Sequence, residues 1–149
     1  MAAARRPPCS TTGGPGPSVV GLLAAQGLAT PDAVAVDDGA ERWSYAQLHR
    51  AAASVTGALA RLGVGVGNAV GVCLPRSKEA IAAMMGVWAA GAIYVPLDPE
   101  YPTSRLAEMS DRARLSVLIG RPDHPSFSSP ATVRVDAAGI SPGVIDEDP

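Results

Sequence analysis

The stretch VWAAGAIYVPLDPEYPTSRL, residues 87–106, decides the fold. It runs from the end of an apolar helix through a buried strand and a double-proline turn into a new helix. Gly91 closes the first helix, and Ile93 to Leu97 form the strand. Pro96 sits near the strand's end because proline cannot donate to a ladder. Asp98-Pro99-Glu100-Tyr101-Pro102 turns the chain, and Thr103 or Ser104 caps a helix carrying Leu106 and Met109. The string contains no reactive constellation, so it reads as architecture.

Upstream, Ser77 is placed to cap a helix over Lys78 to Ala90, with Ile81, Met84, Met85 and Trp88 at helical spacing. Before it, Ala69-Val70-Gly71-Val72-Cys73-Leu74 is a continuous apolar run between Gly67-Asn68 and Pro75, the pattern of a strand covered on both faces. Ser44-Tyr45-Ala46-Gln47 fits a capping box, in which the Ser hydroxyl and the Gln side chain satisfy each other's backbone N–H groups. The helix it opens carries Leu48, Ala51, Ala52, Val55, Leu59 and Leu62 on one face, with Arg50 and Arg61 off it, and Gly63 ends it. Ala33 to Val36 and Arg42 to Tyr45 read as a hairpin around Asp38-Gly39, and Val19 to Ala29 as a short helix closed by Thr30-Pro31. Downstream, Leu115 to Ile119 is a further strand. Strands alternating with helices at this spacing predict an α/β fold: an open, largely parallel sheet with flanking helices and right-handed crossovers.

The ends are different in kind. Residues 1–18 show no apolar periodicity and are expected to be a disordered tail, and residues 121–149 carry five prolines and one short strand-like run. The core is therefore expected from residues 19–120, a size that buries roughly 60–70% of its unfolded surface and leaves little surplus stability.

Net charge is −2, and the basic residues, eleven Arg and the single Lys78, are scattered rather than gathered into a stripe. That pattern argues against nucleic acid and anionic membranes as partners. Arg5 and Arg6 are followed by prolines and glycines instead of an apolar signal-peptide core, and no apolar run is long enough to span a bilayer, so a cytoplasmic protein is expected. Cys9 and Cys73 do not form a disulfide framework; Cys73 reads as a buried thiol.

Several motifs invite chemistry and are better explained otherwise. Gly63-Val64-Gly65-Val66-Gly67 follows a helix and leads into a strand, the reverse of a phosphate-cradling loop. Pro75-Arg76-Ser77-Lys78 has the right polarity, strand end to helix start, and Arg76 and Lys78 could face an anion there. Lacking a glycine for close backbone approach, it reads as an exposed capped turn. His49 and His124 have no metal-ligand spacing around them. No G-x-S-x-G elbow occurs, and Trp88, Tyr94 and Tyr101 read as packing residues.

Two motifs carry a family resemblance. Trp43-Ser44-Tyr45-Ala46-Gln47-Leu48 resembles the first adenylation core motif, L-T-Y-x-E-L. Ala89-Ala90-Gly91-Ala92-Ile93-Tyr94-Val95-Pro96-Leu97-Asp98 resembles the second, K-A-G-x-A-Y-V-P-L-D, continued by Pro99-Glu100-Tyr101-Pro102. Thr30 to Val36 and Val70 to Leu74 match in order and spacing. Ala89 stands where lysine is usual and Ile93 where a small residue is usual, departures that touch packing. Over residues 19–120 the chain is thus similar to the N-terminal part of the adenylation domains of nonribosomal peptide synthetases, within the AMP-binding, adenylate-forming enzymes.

The resemblance implies a parent ligase that joins an amino acid to ATP, giving an aminoacyl adenylate and pyrophosphate, and then acylates a phosphopantetheine thiol on a carrier domain. It also implies ATP and Mg²⁺ as the parent's cofactors. The family's phosphate loop, S/T-G-T-T-G-x-P-K-G, and its closing lysine find no match in these 149 residues. The expectation is therefore a truncated scaffold segment, inactive alone, with no catalytic, cofactor-binding or metal-binding residue of its own. Its implied partner is the complementary C-terminal part of an adenylation domain or other synthetase modules. The alternatives are a non-catalytic remnant or interaction module, and a fragment of an acyl- or aryl-acid-CoA ligase.

Overall fold

The computed structural model describes residues 17–121, 133–136 and 140. The expected N-terminal tail to residue 16, Cys9, His124 and most of the expected C-terminal tail lie outside those residues. The elements, in order, are α1 (Val19–Ala29), β1 (Val34–Asp37), β2 (Arg42–Ser44), α2 (Tyr45–Arg61), β3 (Ala69–Cys73), α3 (Lys78–Ala89), β4 (Ile93–Leu97), α4 (Thr103–Ala113), β5 (Leu115–Gly120) and β6 (Val133–Asp136).

Strands β4-β3-β5-β6 form one parallel sheet in that order, while β1 and β2 form a separate antiparallel hairpin. The strand-like run in the C-terminal segment is β6, paired with β5. Side chains alternate across the sheet with the two-residue strand period, except at the register shift of β5 against β3, which places Leu115 and Val117 on opposite faces. Val70, Val72, Val117 and Ile119 face α2 and α3 in one core; Ala69, Cys73, Leu115 and Leu118 face Leu106 of α4 in the other. This alternation explains why all five residues of β3 are buried.

Local capping signals act as read. The Ser44 hydroxyl accepts from the Gln47 N–H at 3.2 Å, and the Ser44 N–H donates to Gln47 Oε1 at 2.8 Å, a complete capping box. Ser77 caps α3, and Ser18, read from the sequence as the last residue of the tail, caps α1. Gly63 and Gly91, which close α2 and α3, take positive φ values of 70° and 74°.

Four expectations are corrected. First, neither Thr103 nor Ser104 caps α4: Pro102 is the N-cap, and its carbonyl accepts from the Arg105 and Leu106 N–H groups. Proline's ring offers no acceptor atom, so the cap is made without a side-chain hydrogen bond. Second, Leu62, the C-cap of α2, is exposed.

Third, among the described residues β4 is an edge strand rather than a fully buried one. Ile93 is 54% exposed, and of its five residues only Leu97 is buried. Fourth, α3 turns a different face inward. Of Ile81, Met84, Met85 and Trp88 only Met85 is buried, and the packed face comprises Ala82, Ala83, Met85, Gly86 and Val87. Because α3 is apolar around most of its circumference, periodicity does not select a face. Close approach to α2 does, and it requires small side chains.

Candidate functional site

The carboxyl ends of parallel strands are the usual working edge of an open α/β sheet. Here β3 and β4 end beside a cleft of about 1130 Å³, lined by Leu74 to Ser77, by Tyr94 and Pro96, by the turn from Asp98 to Tyr101, and by Val36, Asp37 and Asp38 of the hairpin. Ile81 and Met84 of α3 form part of its apolar wall. Asp98 orders the turn by accepting from the Glu100 N–H at 2.9 Å, while its carbonyl accepts from the Tyr101 N–H.

The mouth is acidic. Asp37 is held below its ordinary range by the Gly39 N–H and the Arg42 guanidinium, 2.8 Å away. Asp38 is held far below it, chiefly by the Glu41 and Ala40 N–H groups, with the Lys78 ammonium adding to the effect against partial burial. Burial raises the Tyr94 hydroxyl.

Lys78 is not exposed, as the turn reading supposed. Its side chain is 11% exposed, and Nζ lies 3.2 Å from a carboxylate oxygen of each of Asp38, Glu41 and Glu79. It also lies 5.5 Å from the centroid of the Trp43 ring. Burial alone would lower this ammonium's pKa, but the three carboxylates outweigh it and hold it well above the usual lysine value. The ammonium is thus already engaged by anions of the chain itself, and Arg76 alone of the suspected pair stands exposed at the cleft.

The other suspected residues are structural. His49 Nε2 lies 2.9 Å from the Leu23 carbonyl, joining α2 to α1. Gly65 donates to Asn68 Oδ1 within the helix-to-strand loop. Trp88 and Tyr94 meet edge to face with centroids 6.0 Å apart, and the Arg105 guanidinium covers Tyr101 at 5.1 Å. Cys73 is a buried thiol in β3. Among the described residues there is no group of three His, Cys, Asp or Glu side chains able to hold a metal ion, and no buried side-chain nitrogen or oxygen without a hydrogen-bond partner. No helix among them is long and apolar enough to cross a membrane.

Neither Lys78's burial nor its charge cluster was foreseen from the sequence. The available signal was the pair of acidic residues, Asp38 and Glu41, flanking the hairpin turn.

A parallel sheet covered on both faces, with its cleft at the carboxyl edge, places this chain among the α/β domains that work from that edge. The profile of the AMP-binding enzymes matches residues 23–148, and the chain belongs to that family. It is 42% identical, over 114 residues and 74% of its length, to the probable non-canonical nonribosomal peptide synthetase CymA of Salinispora arenicola (strain CNS-205). It spans only 2% of that relative's length. Among solved structures it is similar to a four-domain nonribosomal peptide synthetase bound to AMP and glycine, with a TM-score of 0.75 and 29% identity over 83% of this chain and 9% of that one. The N-terminal subdomain of Klebsiella oxytoca NpsA, in complex with anthranilyl-AMSN, shares the fold at a TM-score of 0.71 and 20% identity, over 82% of this chain and 31% of that one.

Proposed function

We propose that this chain supplies the N-terminal scaffold of a nonribosomal-peptide-type adenylation domain, with residues 19–120 as its main body. The parent activity is ATP-dependent activation of an amino acid to its adenylate, followed by transfer to a carrier-protein thiol. The observation that carries this reading is the unit α3-β4-turn-α4, which holds the second adenylation-like motif and builds the cleft's floor in a fold similar to that of a synthetase bound to AMP and glycine.

The chemistry needs donors for a triphosphate, Mg²⁺ to offset its charge and a lysine near the reacting carboxylate. The described residues do not fit those groups. The strand-to-helix turn lacks a glycine, its lysine is saturated by carboxylates, and Asp37, Asp38, Asp98 and Glu100 line the cleft. The segment's contribution is therefore positional: it holds the sheet edge on which residues from elsewhere in the parent act.

Its partner, on this reading, is the remainder of an adenylation domain, with other synthetase modules beyond it and phosphopantetheine on the carrier. A helix apolar on nearly all sides is an interior helix. The exposed Ile81 and Trp88 of α3, beside the outer edge of β4, support a partner surface there. The place of action is the cytoplasm.

The deciding assay is amino-acid-dependent ATP–pyrophosphate exchange. The chain alone is expected to show none, and exchange is expected when it is joined to a polypeptide carrying the remainder of the domain. Turnover by the chain alone would overturn the scaffold reading.

A further inference from the structure

The hairpin of β1 and β2 is anchored at its body by Val36 and Trp43, which pack on the main core. Its tip is held differently. Asp38 and Glu41 from the tip, and Glu79 from α3, each place a carboxylate oxygen 3.2 Å from the same Lys78 Nζ. Asp38 also accepts from the Lys78 backbone N–H at 3.4 Å, so a hairpin carboxylate sits at the start of α3, where the helix dipole favours negative charge. The neighbouring Asp37 is paired with Arg42.

Two features make this more than an incidental ion pair. An ammonium has three N–H donors that it can aim in separate directions, one for each carboxylate, whereas a planar guanidinium presents a fixed fork. Lys78 is the chain's only lysine among twelve basic residues. In addition, three carboxylates gathered on one cation repel one another once that cation is gone, so its loss turns attraction into expulsion.

We propose that Lys78 is a positioning residue: its ammonium pins the hairpin tip against the start of α3 and so sets the mouth of the cleft at the carboxyl edge of the sheet. Val36, Asp37 and Asp38 form the wall held in place, and Arg76 and Ser77 line the same cleft. The inference concerns the geometry of this chain and stands apart from the scaffold reading of its function.

The test uses the full chain with Trp88→Phe, which leaves Trp43 as the single tryptophan. Acrylamide quenching of Trp43 is expected to rise severalfold on adding Lys78→Met, because methionine keeps an apolar cover near the indole while the tip moves away. Quenching is expected to fall only in part when Asp38→Asn and Glu41→Gln are added, because the repulsion among the carboxylates is relieved while the pin stays absent. Asparagine keeps the side-chain oxygen that accepts from Ala40 and Glu41, so the turn itself is preserved. Unchanged quenching in the Lys78→Met variant, or a full return to the starting value in the variant that lacks both the ammonium and the carboxylates, overturns the proposal. If the Lys78→Met variant does not fold, the variant also lacking the carboxylates decides: folded with an exposed Trp43 supports the pin, and folded with a fully shielded Trp43 overturns it. Amine acylation gives an independent readout, since Lys78 is the only side-chain amine. Asp38→Asn with Glu41→Gln is expected to speed its modification about tenfold or more, as the ammonium's pKa falls by a unit or more; an equal rate counts against the pin.

Discussion

A Cβ on Gly86 would lie 2.5 Å from the Cβ of Val55 and 2.8 Å from the carbonyl oxygen of Ala52, so α2 and α3 meet where no side chain fits. The Thr56 hydroxyl spans the same seam, donating to the Gly86 carbonyl at 3.1 Å. Gly86→Ala is therefore expected to destabilise the chain despite alanine's better helix propensity. Overpacking costs about 1–3 kcal/mol, of which propensity returns about 1. A lowered urea midpoint with an unchanged slope would show this; an equal or higher midpoint would mean that the seam can relax.

The capping box makes a smaller and separable prediction. Ser44→Ala removes one member and is expected to cost about 1 kcal/mol. Because Ser44 lies at the end of β2, the loss should also appear in amide exchange at Gln47, whose N–H it accepts. Protection of that amide equal to the parent chain's would contradict the assignment.

The outward face of α3 can be tested against its inward face. Ile81→Glu and Trp88→Glu place charge on exposed positions and are expected to reduce self-association while leaving secondary structure intact. Met85→Glu buries an unpaired charge and should abolish the cooperative fold. Sedimentation velocity and circular dichroism on the three variants separate the two faces. Reduced association without unfolding in Met85→Glu would mean that the faces are reversed.

The Lys78 cluster predicts a broad pH plateau. Asp38 has a folded pKa below its ordinary 3.8, so its contribution is complete above that value and is lost as pH falls through the folded pKa. Lys78 has a folded pKa above its ordinary 10.5, so its contribution is complete below that value and is lost as pH rises through the folded pKa. Trp43 shielding should thus hold from about pH 4 to about pH 10, failing only outside that window. Asp38→Asn should weaken the acid-side dependence. A midpoint near neutrality would show that other groups control the hairpin.

The local readings that held share one cause. Ser44 with Gln47, Ser77, Gly63, Gly91 and the period of α2 all act through neighbours within about one helical turn, so their outcome is written locally. The covered β3 was legible for a related reason, since an unbroken apolar run has no polar face to expose. The resemblance of residues 89–98 to an adenylation motif needed only the order of residues, and the family match over residues 23–148 bears it out.

By itself, then, the sequence determined the order of elements, the caps of α2 and α3, the α/β class and the family. Only the tertiary structure decided which face of α3 is inward, because that helix is apolar on both sides and the choice rests on the fit between Gly86 and Val55. It also decided that β4 lies at the sheet's edge, since strand order depends on which strands pair across the chain. And it decided the fate of Lys78, whose partner Asp38 lies forty residues upstream. A lysine at a helix start can serve a ligand or the protein's own carboxylates, and only the folded hairpin brings those carboxylates within reach.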